Sequence, residues 1–354
     1  MTREDISVLV LCDREGMRSA NIRYLTGHPS DAVLFIFRNK KSILLPWDMD
    51  LAEKKSSGVI LKPYTAYNRD FAGAIMAILH EMNIPAGSKV EIPSGLPYPE
   101  AVSFIKDAGY EFLCRENGLE TEIDRMRQIK DVHEIEILRR SVEITDSILD
   151  MIESSVRNGS VTETDIAFLI ERECRRAGAE GTGFETLVAG PERSCNIHAF
   201  PAYTGTVFSG DGLSIVDFGI KLDGYTSDVT LTVVKNPTAE QSRMTELAEQ
   251  AVHIAEGMLK PGSRTVDISM AVSSFFQRAG YEMPHALGHG IGLEIHENPV
   301  LRTREPSVEL RPGMILAVEP GIYSPGSGGV RLENDYLITD SGFEKLTNSR
   351  IIRL

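Results

Sequence analysis

The chain has 354 residues, more than one typical domain of about 100–200 residues, and this length predicts two domains. Hydrophobic residues make up 42% and charged residues 25%, which is the composition of an ordinary globular protein. The formal net charge of −14 argues against nucleic-acid and anionic-membrane partners, because both repel an acidic surface. We therefore expect a small or peptide-like substrate, no nucleic-acid partner and no membrane partner.

The cysteines and the N-terminal sequence indicate a compartment. The cysteines are scattered and form no CxxC pair, a pattern that fits reduced thiols in the cytosol better than a disulfide framework. The opening sequence MTREDISVLVLC does not resemble a signal peptide, and no stretch approaches the roughly 20 apolar residues of a membrane span. The sequence predicts a cytoplasmic protein.

The first third of the chain alternates strand-like and helix-like segments. A run of apolar residues at helical spacing predicts a helix over Arg69–Met82, closed by Pro85 and Gly87. The remaining predicted elements give a βαβ rhythm and are Ile6–Leu11, Ala32–Phe37, Ser42–Leu45, Val90–Ile92, Ala101–Ala108 and Glu111–Cys114. We interpret residues 1–124 as a small α/β domain.

The remaining chain, residues 125–354, reads as a second domain. Asp131 with Glu134, and Thr162 with Asp165, each form a predicted capping box at the start of a helix. Two further helices are predicted at about 239–258 and 266–279. The other segments are glycine-punctuated and strand-rich, so we predict an α+β architecture in which helices flank a mixed sheet.

Two aspartates, Asp217 and Asp228, lie on either side of a predicted hairpin turn. A loop at Leu222–Asp223 would place them directly opposite each other, whereas a loop at Asp223–Gly224 offsets them by two residues on the same face. Carboxylates that face each other on an apolar sheet repel, and a cation between them removes the repulsion. The alternative is two solvent-exposed aspartates near a turn.

Two glutamates repeat this pattern near the C-terminus. Glu319 lies in ILAVEPGIY and Glu333 in GGVRLENDYLIT, and the turn-rich sequence SPGSGG separates the two segments. Glutamate is seldom fully buried without a partner, so two glutamates in apolar strands indicate a shared cation. The alternative is a salt bridge, for which Arg331 is the available partner.

The segment HALGHGIGLEIHE holds three histidines within twelve residues, His285, His289 and His296. Its three glycines argue against a helix, so this is not a zinc helix of the HExxH type. Glycine lets the backbone pack closely and aim the imidazole rings. The alternative is a glycine-rich strand with exposed histidines.

Together these segments supply four carboxylates and at least one imidazole. Two divalent ions balance about four negative charges, and oxygen-rich sites favour manganese, although imidazole also admits cobalt, zinc or iron. Two metal ions that share a water lower its pKa to about 7, and the resulting hydroxide is a nucleophile at neutral pH, while nearby histidines can protonate a leaving amine. The residues therefore predict amide hydrolysis by a metal-bridging hydroxide.

Four segments resemble the pita-bread metallopeptidases, which include Xaa-Pro dipeptidases (prolidases), Xaa-Pro aminopeptidases and methionine aminopeptidases. The segments are VDFGIKLDGYTSDVT, HALGHGIGLEIHE, AVEPGIY and VRLEND, and their order and spacing agree with that family over residues 125–354. The segment ANIRYLTGH at 20–28 is similar to the creatinase/prolidase N-terminal domain. The resemblance implies such a domain over residues 1–124 and a pita-bread catalytic domain over residues 125–354.

The resemblance also implies a role for each candidate metal ligand. Asp217 would chelate one metal ion, and Asp228 and Glu333 would bridge both. His289 and Glu319 would hold the second ion, and Glu319 would also shuttle a proton.

Further residues carry implied roles around the metal ions. His198 and His296 match the catalytic histidines of the family, and both His198 and His285 would contact the substrate. Arg331 stands where a supporting arginine precedes the bridging glutamate and would assist substrate binding. Family members are commonly homodimers, so the resemblance implies a homodimer here.

The predicted function is hydrolysis of the bond between an N-terminal residue and proline, in a dipeptide or a longer peptide. Several prolidases have an arginine after the proline of HExP, whereas Val300 follows Pro299 here and the nearest arginine is Arg302. This departure weakens a strict dipeptidase interpretation. The alternatives are hydrolysis of a non-peptide C–N bond, as in an ectoine hydrolase, and a non-catalytic peptide-binding module.

Overall fold

The structure is a computed structural model that describes residues 5–14, 18–105 and 109–354. The chain divides into two compact units, Met1–Arg127 and Gln128–Leu354. The first unit holds α/β elements and the second holds the strand-rich segments with all the candidate site residues, so the mixed α and β architecture expected from the sequence is confirmed.

The N-terminal unit is built on one mixed sheet. Its strands are β1 (Ile6–Asp13), β2 (Ala32–Phe37), β3 (Ser42–Pro46), β4 (Ile60–Leu61), β5 (Lys89–Ile92) and β6 (Glu111–Cys114). They lie side by side in the order β4-β3-β2-β1-β5-β6. The helices are α1 (Ala20–Thr26), α2 (Met49–Lys55), α3 (Phe71–Glu81), α4 (Tyr98–Ile105) and α5 (Leu119–Arg127). The segment predicted as a helix over Ala101–Ala108 lies partly in α4, and its last three residues lie outside the described residues.

Alternation along β1 gives this sheet two buried faces. Val8 and Val10 pack in one apolar cluster with helix α3, whereas Leu9 and Leu11 pack in another with helices α1 and α5. Successive side chains of a strand point to opposite faces, so an almost continuous apolar run is buried on both. This pattern is typical of a sheet with helices on both sides.

Four helices flank the strands of the C-terminal unit. They are α6 (Val132–Asn158), α7 (Glu163–Arg176), α8 (Ala239–Glu256) and α9 (Thr265–Arg278). The predicted capping boxes of Asp131 with Glu134 and of Thr162 with Asp165 are both present. In each, a side chain accepts a hydrogen bond from a backbone N–H that the helix leaves without an internal partner.

The strands of this unit form two larger sheets and two small ones. The first strands are β7 (Gly181–Thr182), β8 (Leu187–Ala189), β9 (Gly212–Phe218), β10 (Ile220–Leu222), β11 (Tyr225–Thr226) and β12 (Val229–Lys235). The later strands are β13 (Gly288–Gly290), β14 (Glu297–Leu301), β15 (Ile315–Val318), β16 (Gly321–Ser324), β17 (Gly328–Arg331), β18 (Asn334–Ile338), β19 (Phe343–Lys345) and β20 (Ile351–Arg353). The sheet orders are β20-β12-β9-β8, β14-β13-β15-β18-β19, β11-β10-β7 and β16-β17.

Each larger sheet packs against its own pair of helices. Side chains of α6 and α7 share an apolar cluster with β9 and β12, and side chains of α8 and α9 share another with β15 and β18. Burial of these faces supplies the main driving force for folding of the unit. The opposite faces are free to carry polar groups.

The hairpin that carries the two aspartates turns at Asp223–Gly224. Both residues have positive φ angles, 45° and 89°, as a tight two-residue turn requires. Strand β9 pairs with β12 in the register that sets Asp217 opposite Thr230, so the register offset by two is the one observed. The neighbours of Asp217, Val216 and Phe218, pack into the helix-covered core, and the carboxylate is left on the other face.

The later half of the C-terminal unit carries the two candidate glutamates, Glu319 and Glu333. Glu319 directly follows β15, the hairpin β16-β17 comes next, and Glu333 lies between β17 and β18. The Glu333 backbone N–H donates to the Thr230 carbonyl at 3.0 Å in an isolated bridge. This bridge links the sheet of β12 to the sheet of β18.

Two further features concern the helices and the cysteines. Among the described residues, no helix combines the length and the apolar character that a membrane span requires. The four cysteines are all free, with Cys174 buried and Cys114 exposed.

The buried and exposed faces of helix α9 predict different losses of stability for two alanine substitutions. Phe276→Ala should destabilise the protein by about 3–5 kcal/mol, because this fully buried ring would leave a cavity. Met270→Ala, on the same helix but 51% exposed, should change stability by less than about 0.5 kcal/mol. Urea unfolding followed by circular dichroism measures both, and equal effects would contradict the assigned core.

Candidate active site

One cavity of about 420 Å³ in the C-terminal unit collects the candidate residues. The predicted residues that line it are Asp217, Asp228, His289, Glu319, Glu333, His198, His285, His296 and Arg331. They come from β9, β13, β17 and the loops beside them, so segments distant in sequence converge on one space. An apolar wall completes the cavity and includes Phe184, Leu187, Ile197, Ile295 and Val300.

Three donor residues form the tightest part of the cavity. One ligand atom each from Asp228, His289 and Glu333 lies within 4.8 Å of the other two, and all three side chains are buried. The His289 Nε2 atom is 3.6 Å from Asp228 Oδ2. Carboxylate and imidazole donors at such spacing can hold a divalent cation.

Glu319 and Asp217 extend this cluster in different ways. Glu319 Oε1 lies 3.8 Å from His289 Nε2, so Glu319 borders the cluster directly. Asp217 Oδ2 instead accepts a hydrogen bond from Arg331 Nη2 at 2.5 Å. The other oxygen of Asp217 is buried without a hydrogen-bond partner.

The histidines differ in burial. His289 is 5% exposed, and its ring stands edge-on to the His296 ring with centroids 4.4 Å apart. His285 is partly buried and lies 3.7 Å from Glu319 Oε2. His198 and His296 are exposed at the cavity, where a substrate can reach them.

Burial and mutual repulsion shift the pKa values of this cluster. Burial, reinforced by neighbouring carboxylates, raises the pKa of Asp228 and of Glu333 well above the ordinary values. Burial also raises the pKa of Glu319 to about 8 and lowers the pKa of His289 to about 4. Without a cation Asp228, Glu319 and Glu333 therefore favour their protonated forms near neutral pH, whereas the His289 imidazole stays neutral, which is the form that binds metals.

The donor set fits divalent metal ions. Buried carboxylates need a compensating charge, and Arg331 compensates only Asp217 directly. The unpartnered oxygen of Asp217 and the three converging donors leave ligand positions that a cation would satisfy. The alternatives of exposed aspartates and of a Glu333–Arg331 salt bridge fit less well, since Asp228 is 4% exposed and Glu333 accepts its hydrogen bond from Thr230.

A tyrosine and a threonine complete the polar network, and sequence analysis missed both. The Tyr323 hydroxyl accepts from Arg331 Nη1 at 2.7 Å and lies 3.1 Å from His285 Nε2. The Thr230 hydroxyl donates to Glu333 at 2.6 Å and accepts from Arg331 Nε at 2.9 Å. Both stand within the motifs AVEPGIY and YTSDVT, but their partners are distant in sequence.

Two buried acidic residues outside the cavity stabilise the segments that carry Asp228 and His296. Asp335 is fully buried, and its carboxylate accepts the backbone N–H of Asp228 at 2.9 Å. Glu297, next to His296, accepts from Lys130 Nζ at 3.0 Å in a buried ion pair. Neither residue is a candidate ligand, yet each fixes a segment that carries one of the cavity residues.

Two helix-flanked sheets around a buried carboxylate–imidazole cluster are the arrangement expected of a metal-dependent hydrolase. The sequence profile of metallopeptidase family M24 matches residues 136–340, and the chain belongs to this family. The resemblance stated from the sequence motifs is thereby confirmed, as is the classification as an enzyme.

Named relatives agree with this assignment. The Xaa-Pro dipeptidase of Pyrococcus horikoshii is 34% identical over 262 residues, which cover 73% of this chain and 72% of that protein. The crystal structure of the X-Pro aminopeptidase from Thermotoga maritima superposes with a TM-score of 0.83 at 26% identity, covering 99% of this chain and 98% of that one. The prolidase from Pyrococcus furiosus gives a TM-score of 0.82 at 26% identity, covering 97% of each chain. The predicted pita-bread fold is confirmed by this similarity.

The pKa shifts predict that the metal-free protein loses stability as the pH rises from about 6.5 to about 8. Glu319, with a folded pKa of about 8, keeps a proton that the unfolded chain releases near its ordinary value of 4.5. Its contribution is therefore complete below pH 4.5 and lost as the pH rises through 8. His285 and His289, with pKa values of about 4, act in the opposite direction, but only below pH 6.5.

Thermal melts of the chelated protein across this pH range measure the effect. Saturating manganese should remove the decline, because a bound cation stabilises the ionised carboxylates. A melting temperature that stays level or rises in the chelated sample would contradict the assignment.

Proposed function

We propose that this metallopeptidase hydrolyses the bond between an N-terminal residue and proline in short peptides. The observation that supports the proposal most directly is the convergence of buried carboxylates and imidazoles on one cavity. The restriction to proline is supported by the names of the relatives, an Xaa-Pro dipeptidase and an X-Pro aminopeptidase.

The proposal includes two divalent metal ions held by Asp217, Asp228, His289, Glu319 and Glu333. Four carboxylates carry about four negative charges, of which Arg331 offsets one through its ion pair with Asp217. One divalent ion would still leave an excess of negative charge in a buried site, whereas two would leave none. When bound, such ions supply Lewis acidity that activates water near neutral pH and polarises a carbonyl group.

The chain's own residues handle protons and orientation. Glu319 faces the cavity beside His285 and His289, so its carboxyl group is placed to take a proton from the attacking water. His198 and His296 are exposed at the cavity and can steady the developing oxyanion or protonate the leaving nitrogen. Arg331 holds Asp217 in place, and its network reaches the substrate-facing His285 through Tyr323.

The apolar wall of the cavity favours a compact apolar group in the substrate. Leu187, Ile197, Ile295 and Val300 line the cavity beside the polar cluster and can enclose a proline ring. Among the described residues, Arg331 is the only arginine that lines the cavity. The arginine that several prolidases have after the proline of HExP therefore has no counterpart there, and we propose that both dipeptides and longer peptides enter.

Three further attributes belong to the proposal. Manganese is the proposed metal, because oxygen donors outnumber nitrogen donors in the cluster, with cobalt, zinc or iron as replacements. The free cysteines fit the reducing cytoplasm. A homodimer is proposed on the family resemblance alone.

A peptide panel tests the proposed activity. Protein supplemented with manganese or cobalt should cleave Ala-Pro, Met-Pro and an Xaa-Pro-Xaa peptide with kcat/KM at least about tenfold above a non-proline control peptide. Cleavage of the control at an equal rate would refute the proline preference while leaving peptidase activity intact.

A pair of aspartate variants tests the metal site. Asp228→Asn should weaken binding of divalent metal at least about 100-fold and abolish turnover, because it removes a proposed bridging charge. Asp223→Asn lies in the turn of the same hairpin with its side chain 49% exposed, and should retain metal and activity. Metal content by mass spectrometry after dialysis, with calorimetric titration, measures both. Full metal binding by Asp228→Asn would refute the ligand assignment.

A further inference from the structure

A buried glutamate outside the cavity holds the loop that carries His198. Glu163 is the first residue of α7 and is completely buried. It does not line the cavity, and no metal-ligand role is proposed for it. Its carboxylate nevertheless receives hydrogen bonds from widely spaced points of the loop 190–206.

The Glu163 carboxylate contacts both ends of this loop. At one end, Glu163 Oε1 accepts the backbone N–H of Gly190 at 2.7 Å. At the other end, Oε2 accepts the backbone N–H of Thr204 at 2.6 Å and its hydroxyl at 2.7 Å. Between these ends, Arg193 Nη1 donates to Oε2, and Arg193 Nη2 donates to the Pro201 carbonyl.

Backbone contacts reinforce this arrangement. The Glu163 backbone N–H donates to the Thr206 carbonyl at 3.0 Å, and the Thr164 backbone N–H donates to the Thr204 carbonyl at 3.0 Å. On the far side, the Ser194 hydroxyl accepts the backbone N–H of Gly329 in β17 at 3.0 Å. The loop is thus fastened to α7 and to the strand that ends at Arg331.

His198 itself has no comparable support. Its side chain is exposed, and no hydrogen bond or ion pair of this side chain occurs among the described residues. The neighbouring Ala199 is buried in a small apolar cluster with Leu187 and Ile215, which is a local contact on one side of His198. The position of the imidazole at the cavity therefore depends on the conformation of the loop backbone.

We propose that Glu163 and Arg193 are positioning residues that hold His198 in its productive place at the cavity. A single buried carboxylate with four donors can fix the loop because charge-assisted hydrogen bonds are short and strong. The inference rests on the proposed peptidase function, in which His198 acts on the substrate. It adds a determinant of activity that lies outside the cavity, at the N-terminus of helix α7.

The test is a double-mutant cycle with His198. Glu163→Gln keeps the shape of the side chain but removes its charge and replaces one acceptor oxygen by a donor. We expect it to lower kcat/KM on Ala-Pro about 10–100-fold in the wild-type background, mainly through kcat, because a small misplacement of a catalytic group is costly. In the His198→Ala background it should lower kcat/KM less than about twofold, since the group it positions is already missing.

Two further variants separate positioning from general destabilisation. Arg193→Lys keeps the charge but replaces the planar guanidinium, with its two separate donor nitrogens, by a single ammonium group. It should therefore show the same dependence on His198 with a smaller loss. Glu91→Gln is the matched control: Glu91 is also buried and accepts hydrogen bonds from Arg115 and from the Leu119 backbone N–H, but it lies in the N-terminal unit. Any effect of Glu91→Gln on kcat/KM should be the same in the wild-type background as in the His198→Ala background.

Hydrogen exchange provides a readout that does not depend on activity. In metal-loaded Glu163→Gln, amides of the loop 190–206 should exchange at least about tenfold faster than in the wild type, while the amides of α9 should be unchanged. Equal losses of kcat/KM in both His198 backgrounds, or an unchanged exchange rate in the loop, would overturn the inference. If the wild type cleaves no Xaa-Pro peptide, the proposed function fails, and the exchange result alone decides whether Glu163 holds the loop.

Discussion

The structure depends on a cluster of like charges held inside a protein. Asp228 and Glu333 are almost completely buried and reach toward the same imidazole, and burial together with mutual repulsion favours their protonated forms. A protein retains such an arrangement only when something compensates for it. Arg331 compensates Asp217, and divalent cations would compensate the rest. In the proposed mechanism catalysis follows from the same constraint, because the cations that would neutralise the cluster would also activate water.

The fold brings these charges together by joining two helix-backed sheets. Each sheet buries an apolar face against two helices and presents its other face toward the cavity. The bridge between Glu333 and Thr230 ties the sheets through both backbone and side chain, so the Glu333 carboxylate is fixed from two directions. Asp335 fixes the segment of Asp228 in the same way, through its backbone N–H. Rigid elements of this kind hold a polar cluster in place with little reorganisation during reaction.

Local sequence signals predicted much of this arrangement. The Asp223–Gly224 turn and the alternation around Asp217 indicate which side chains share a face, and capping boxes mark two helix starts. Carboxylates in apolar strands point to a cation because their burial is otherwise costly. The supporting contacts were not predictable from pattern, since they join residues far apart in the chain. Lys130 and Glu297 are separated by 167 positions, and the Asp228–Asp335 contact spans 107.

Anomalous diffraction from crystals of the manganese-loaded protein tests the central claim most directly. The account predicts two manganese peaks inside the cavity, surrounded by Asp217, Asp228, His289, Glu319 and Glu333. A single peak would contradict the dinuclear site. Peaks located away from the five side chains, or none at all under saturating manganese, would contradict the claim that cations compensate the buried carboxylates.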